Sequence, residues 1–413
     1  MNKNNSARLK KISFPRGFLW GVSTSAYQIE GGVINDWSEW EKSAERMERL
    51  KAENKETQKY ICGRACDSYN RWREDISLVE ELNCNSYRLG LEWARIEPRK
   101  GEWADKEINR YREIFKELKK RNIKTVVTLW HWTNPLWVRD SGGWANKEIV
   151  NFFSQYTEKI AEEFGDLVDY WITLNEPMVH VANGYVNGKF PPNRKKILQA
   201  NQVFKNLVRA HKESYKILHR KNPRAQVSIT KLTNDFEPAR RLCFLDRIVA
   251  GIAHYFWNER LLRRLKNHLD FIGLDYYFHD RMVWYPPFKK NKNKEVTDMG
   301  WEIYPRGIYR VLKYLAEYQK PIIILENGLA DSEDKHRRDF IKDHLFYVHK
   351  AISEGADVRG YFYWSLLDNF EWAEGWEPKF GLYKVDRETF ERSPRPSAFF
   401  YSQVCRDNEL KLN

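Results

Sequence analysis

At 413 residues, 42% of them hydrophobic, the chain is long enough to bury a large core, and its charged residues, 31% of the total, are spread along it, which excludes long disordered tracts. The formal net charge of +13 invites a nucleic-acid partner. However, the basic residues alternate with acids, as in Arg110-Tyr111-Arg112-Glu113, and the densest run, Lys289 to Lys294, follows Pro286-Pro287 outside any nucleic-acid-binding motif, so no nucleic acid is expected. No run of about 18 apolar residues is present, so neither a membrane span nor a membrane partner is expected. The five cysteines, Cys62, Cys66, Cys84, Cys243 and Cys405, are odd in number and lack the spacing of a zinc site or a disulfide framework. Free thiols, together with the polar and basic segment Met1 to Lys11, lead us to expect a cytoplasmic protein.

Taken in chain order, short apolar runs alternate with longer amphipathic segments. Strands are predicted at Phe18–Ser23, Ser86–Leu91, Thr125–Trp130, Tyr170–Leu174, Gln226–Thr230, Phe271–Tyr276, Ile322–Leu325 and Gly360–Trp364. Several are continuously apolar, as parallel strands covered by helices are. Between them, Ile108, Tyr111, Phe115 and Leu118 fall on one helical face, as do Ile149, Phe152, Phe153, Tyr156 and Ile160, and again Val203, Leu207, Ala210 and Leu218. Eight alternations of strand and helix predict an α/β protein, a closed (β/α)8 TIM barrel. No linker, repeat or low-complexity tract interrupts the chain. Residues 1–413 are therefore read as one domain, with the barrel over about 14–405.

Such barrels carry their reactive groups just past the C-terminal ends of strands. Here Leu129-Trp130 leads into His131-Trp132, Ile172-Thr173-Leu174 into Asn175-Glu176-Pro177, Ile323-Ile324-Leu325 into Glu326-Asn327-Gly328, and Tyr363-Trp364 toward Asp368-Asn369-Phe370-Glu371-Trp372. A glutamate at a strand end can equally cap a helix or pair with arginine. Two of them, on strands that face each other across a barrel, can flank one bond. Cleaving an acetal needs a proton for the leaving oxygen and a nucleophile or base on the opposite face, and two carboxyl groups supply both. Seventeen tryptophans fit the same chemistry, because indoles stack on the C–H faces of sugars. Most belong to the core. Trp132, Trp364 and Trp372 adjoin polar residues at strand ends and are read as part of a site.

These motifs resemble those of glycoside hydrolase family 1, the β-glucosidase and β-galactosidase family. The resemblance runs from Phe18 to Gly32, FLWGVSTSAYQIEGG, through Thr173–Pro177, TLNEP, and Ile324–Gly328, ILENG, to Trp364–Trp372, WSLLDNFEW, and on to Phe380-Gly381-Leu382. It implies a retaining β-glycosidase in which Glu176 is the general acid and then the general base, and Glu326 forms the covalent glycosyl intermediate. It also implies that Gln28, His131, Asn175 and Glu371 bind hydroxyls of the terminal sugar. Trp364 would floor the pocket, Trp132 and Trp372 would help to bind the sugar, and Tyr277 and Arg88 would hydrogen-bond the nucleophile. Substrates are expected among small-molecule β-glycosides and oligosaccharides, with β-glucosides first and galactosides, fucosides or glycosyl transfer as alternatives.

Three departures stand out. Asp275 replaces the asparagine usual in the family, which would place a third carboxyl near the catalytic pair, either charged or paired with Arg or Lys. Gly90 replaces a serine. The stretch from Thr230 to Asp270 is short for the family and implies an open aglycone side. A 6-phospho-glycosidase is disfavoured because Glu371 would repel phosphate, and a silent binding protein because both carboxyls are present. The ten histidines show no metal-ligand spacing, so neither metal nor cofactor is expected. A homo-oligomer is compatible with the sequence.

Overall fold

The computed structural model describes residues 11–412. The segment before Lys11, on which the expected localisation partly rests, lies outside the described residues. Eight parallel strand positions close a barrel: β1 (Leu19–Ser23), β2 (Ser86–Gly90), β3 (Lys124–Trp130), β4 (Tyr170–Leu174), β5 in two pieces (Gln226–Ser228 and Thr230–Leu232), β6 (Ile272–Asp275), β7 (Ile322–Asn327) and β8 (Val358–Trp364). They follow chain order around the ring, and β8 pairs with β1. A helix follows each: α1 (Ser68–Glu81), α2 (Asp105–Lys120), α3 (Ile149–Phe164), α4 (Ile197–Lys221), α5 (Phe244–His254), α6 (Pro305–Ala316), α7 (Arg337–Ser353) and α8 (Pro396–Asp407). The predicted (β/α)8 barrel is the fold found.

The predicted helical stripes are buried, Ile108, Tyr111, Phe115 and Leu118 on α2 among them. They join the continuous apolar layer between helices and strands. A second, separate cluster fills the barrel itself: Leu19, Val126, Ile172, Phe271, Ile323, Leu325 and Phe362. Two glycines make room for it. A Cβ on Gly21 would lie 2.4 Å from the Phe362 ring, and one on Gly273 would lie 2.8 Å from Leu325 Cδ1. Among the tryptophans outside the site, Trp20, Trp37, Trp93, Trp130, Trp144 and Trp171 are buried completely. All five cysteines are free thiols.

The fifth strand differs from its prediction. The first piece of β5 pairs with β4 and the second with β6, and the break falls at Ile229. There the side chain of Thr230 takes over from the ladder. Its Oγ1 accepts from the Glu176 N–H at 3.0 Å and donates to Asn175 Oδ1 at 2.8 Å. The ring is thus closed beside Glu176 by side-chain hydrogen bonds. Beyond β5 and β6 the chain adds a small parallel pair, Asp235–Pro238 with His279–Met282, that extends the wall above the barrel.

Phe362 and Phe271 are the largest side chains of the interior cluster, and Phe362 is the one packed over Gly21. Its removal leaves a cavity that β1 and β8 cannot close without breaking their ladder. We expect Phe362→Ala to lower the unfolding free energy by about 3–5 kcal/mol, read from urea unfolding. A loss below about 1 kcal/mol would show that the interior is not packed as described.

Candidate active site

Glu176 stands two residues past β4, and Glu326 is the penultimate residue of β7. One oxygen of each, together with one of Asp275 at the end of β6, forms a set in which all three lie within 4.8 Å of one another. All three residues are buried. Glu326 is held on both oxygens: Arg88 Nη1 donates to Oε1 at 2.5 Å and Tyr277 Oη donates to Oε2 at 3.0 Å. The other Arg88 nitrogens reach Asn175 Oδ1 and Thr128 Oγ1. A guanidinium at full burial therefore finds a carboxylate and two neutral acceptors, and it fixes the nucleophile candidate in place.

Glu176 has a different setting. Its Oε1 has no hydrogen-bond partner within the protein. Burial pushes its pKa well up, the negative charges of Asp275 and Glu326 push it further, and Lys231 and Arg88 only partly offset them. The carboxyl is set to hold a proton. Asp275 behaves alike: burial and the adjacent Glu326 push its pKa up, against a smaller pull from Arg88. Neither of its oxygens has a hydrogen-bond partner. The ion pair with Arg or Lys that would have silenced it does not form. A further, smaller compensation comes from Lys231, buried on β5, whose own pKa burial pulls down to about 7 while Glu176 and Asp275 support its charge.

A cavity of about 660 Å³ opens over these carboxyls. His131, Trp132, Tyr277, Trp364, Glu371 and Trp372 line it together with Glu176 and Glu326. Burial, with the charge of Arg88, pushes the pKa of His131 well down, so it is neutral. Burial, then Glu326 and Glu374, push Glu371 up to about 8. Gln28 and Asn175 do not line the cavity and sit one layer back. The Gln28 amide donates to Asn369 Oδ1 and the Phe370 carbonyl and accepts from Ser25. The Asn175 amide is shared among Arg88, Thr230 and His131. Their polar atoms are occupied in holding the residues that face the space. Gly90 is packed against the backbone of Ala26, where a Cβ would come within 3.1 Å.

Several lining residues carry no motif. Trp257 comes from Tyr255–Glu259, a wider helical turn that continues α5, and Phe278, Asp280, Lys289, Met299 and Trp301 come from the long β6–α6 segment. The Thr230–Asp270 stretch, for all its shortness, also lines the cavity, through Leu232, Asn234 and Trp257. Aromatic residues in loops give no periodic signal, so the sequence does not mark which of them turn inward.

The chain matches the description of glycosyl hydrolase family 1 over residues 10–244 and 249–410. It is 36% identical to a 1,4-beta-D-glucan glucohydrolase of Thermotoga neapolitana, with 96% of this chain and 99% of that protein aligned. Among solved structures, a beta-glycosidase from Pyrococcus horikoshii superposes with a TM-score of 0.89 at 38% identity, covering 97% of each chain. The beta-glucosidase from Thermotoga maritima in complex with glucoimidazole superposes with a TM-score of 0.87 at 34% identity, covering 96% of this chain and 99% of that one. The match spans nearly the whole chain, includes every strand of the barrel and takes in both glutamates over the cavity: the protein belongs to glycosyl hydrolase family 1.

Proposed function

We propose that the protein hydrolyses terminal, non-reducing β-D-glucosyl residues of small glycosides and oligosaccharides with retention at the anomeric carbon. The observation that carries this reading is the short separation of Glu176 and Glu326, whose nearest oxygens lie within 4.8 Å. Retaining glycosidases hold their carboxyl groups about 5–5.5 Å apart, whereas inverting ones leave about 6.5–9.5 Å for a water molecule. The glucan glucohydrolase and glucoimidazole-binding relatives support glucose as the sugar.

The chemistry follows from the two settings. Glu326, kept in position by Arg88 and Tyr277, attacks the anomeric carbon. Glu176 gives its proton to the glycosidic oxygen as the bond to the aglycone breaks. The resulting ester has no charge on Glu326, so one of the two carboxylates that hold the Glu176 pKa up is gone. Glu176 then takes a proton from water, the water oxygen bonds to the anomeric carbon, and the ester bond to Glu326 breaks. Trp132, Trp364 and Trp372 offer apolar faces to the ring. His131 and Glu371 offer polar edges to its hydroxyls, and Gln28 and Asn175 hold those edges from behind. Glu371, its pKa pushed up to about 8 by burial, can donate as well as accept. A sugar phosphate would meet the carboxylates of Glu374 and Glu377 on the cavity wall, which favours plain over 6-phospho glucosides.

The test is a panel of chromogenic aryl β-glycosides. We expect β-glucoside turnover to lead, with the matching 6-phospho-glucoside inert. Glu326→Ala should lose on the order of 10⁴–10⁶-fold in kcat, and a 2-fluoro-glucoside should leave its sugar covalently on Glu326 by peptide mass spectrometry. Full turnover by Glu326→Ala would overturn the assignment. The cluster of three carboxylates also has the makings of a divalent-cation site, and a loss of turnover in chelator would favour metal-assisted hydrolysis instead.

The acid limb and the alkaline limb of kcat/KM report different groups, and Asp275 bears on the second. Once ionised, it is one of the two carboxyls whose charge raises the Glu176 pKa. In Asp275→Asn, Glu176 should release its proton at lower pH, so the alkaline limb should move to lower pH than in the wild type. Superimposable profiles would show that Asp275 is electrostatically silent.

A further inference from the structure

Sixteen large hydrophobic side chains are exposed among the described residues, and they are not scattered. Seven fall within Leu242–Phe256 and two within Trp284–Phe288. On α5, Phe244, Ile248 and Ile252 recur every fourth residue, followed by Phe256, so they share one face, and that face points to solvent. Phe244 is 70% exposed and Ile252 53%, with Leu242 fully exposed just before the helix. The two segments form one surface. The backbone N–H of Trp284 donates to Asp246 Oδ1 at 3.1 Å, and the Arg240 guanidinium lies over the Tyr285 ring. A contiguous apolar face of this kind is a docking surface rather than ordinary exposure.

The unpaired charges from Arg241 to Arg247 and from Trp284 to Lys294 are all cationic. Asp246, the only acid on α5, is buried and paired with Arg240. No acid falls between Trp284 and Lys294. Asp280 pairs with Lys289. Arg241, Arg247, Lys290, Lys292 and Lys294 are exposed and have no carboxylate partner among the described residues. A second copy of the chain meeting this face across a two-fold axis would bring like charges together. An apolar stripe rimmed by unopposed cations fits an anionic interface, which takes the apolar side chains between its headgroups and neutralises the rim.

We propose that α5 and the Trp284–Phe288 turn dock the protein, lying flat, onto anionic lipid headgroups. No helix among the described residues is long and apolar enough to cross a membrane, and a helix lying in the plane of the interface needs none. The expectation of no membrane partner was drawn from the lack of a span and does not bear on this mode. Lys289, next to Phe288, and Trp257, next to Phe256, both line the cavity, so the docked protein would hold its cavity mouth beside the lipid.

The experiment is co-sedimentation of the full chain with vesicles of phosphatidylglycerol mixed with phosphatidylcholine, against phosphatidylcholine alone, at low and high salt. Binding should require phosphatidylglycerol and weaken with salt. The variant Phe244→Ser/Ile248→Ser/Ile252→Ser should bind at least about tenfold more weakly, and Arg241→Glu/Arg247→Glu should lose the preference for the anionic lipid. Both should keep wild-type turnover of a soluble aryl glycoside, which reports an intact fold. Failure of the wild type to sediment with phosphatidylglycerol vesicles would overturn the proposal. So would a wild-type dimer in solution that the triple serine variant converts to monomer, because the face would then belong to a second copy.

Discussion

A single guanidinium organises the centre of this barrel. Arg88 enters from β2, is completely buried, and donates to Glu326, Asn175 and Thr128. Burying a charge is costly unless it is paired and its hydrogen bonds are met. Here the pairing serves three carboxyls at once. Glu326 has the direct bond, and Glu176 and Asp275 feel the charge at longer range. Breaking such a pair costs about 3–5 kcal/mol because a charge is left buried without its partner. The same contact sets the division of labour. The carboxyl that touches Arg88 is held in place for attack, and the two that do not, Glu176 and Asp275, have their pKa values pushed up.

Much of the fold can be read in the residues themselves. Seven strands lie within two residues of where their apolar runs place them, because a strand covered on both faces is apolar at nearly every position. The misses have physical causes. β5 breaks where the hydroxyl of Thr230 replaces a backbone bond, and a threonine in a β-rich run looks like any other strand residue. The pair Asp235–Pro238 and His279–Met282 has no apolar period at all. It is held by ions: His279 between Glu237 and Glu302, and Arg281 on the same two glutamates. Such networks depend on which charges meet, and alternation along the chain does not encode that.

At the site, the residues at strand ends were legible because each chemical role needs a particular side chain at a particular mouth. Their depth was not. Gln28 and Asn175 sit behind the wall with both polar atoms of each amide engaged by neighbouring side chains or backbone, and only the geometry distinguishes a residue that touches the cavity from one that holds its neighbour. Backbone strain marks the former. Trp132, Glu176 and Trp372 all have positive φ, at 74°, 39° and 49°. Each such position costs on the order of 1–3 kcal/mol for a bulky residue and persists only where surrounding packing enforces it. Three lining residues share that strain, so the cavity is shaped before any sugar arrives.

The cavity lining has an optical consequence. Trp132, Trp257, Trp301, Trp364 and Trp372 all face the same space, while six other indoles lie sealed in the core. Sugar entering that space displaces water from five emitters and leaves the core ones unchanged. Occupancy is therefore written into the intrinsic fluorescence of the protein, in both intensity and emission colour. A chain stripped of its nucleophile would still report it, which separates the act of holding a sugar from the act of cutting one.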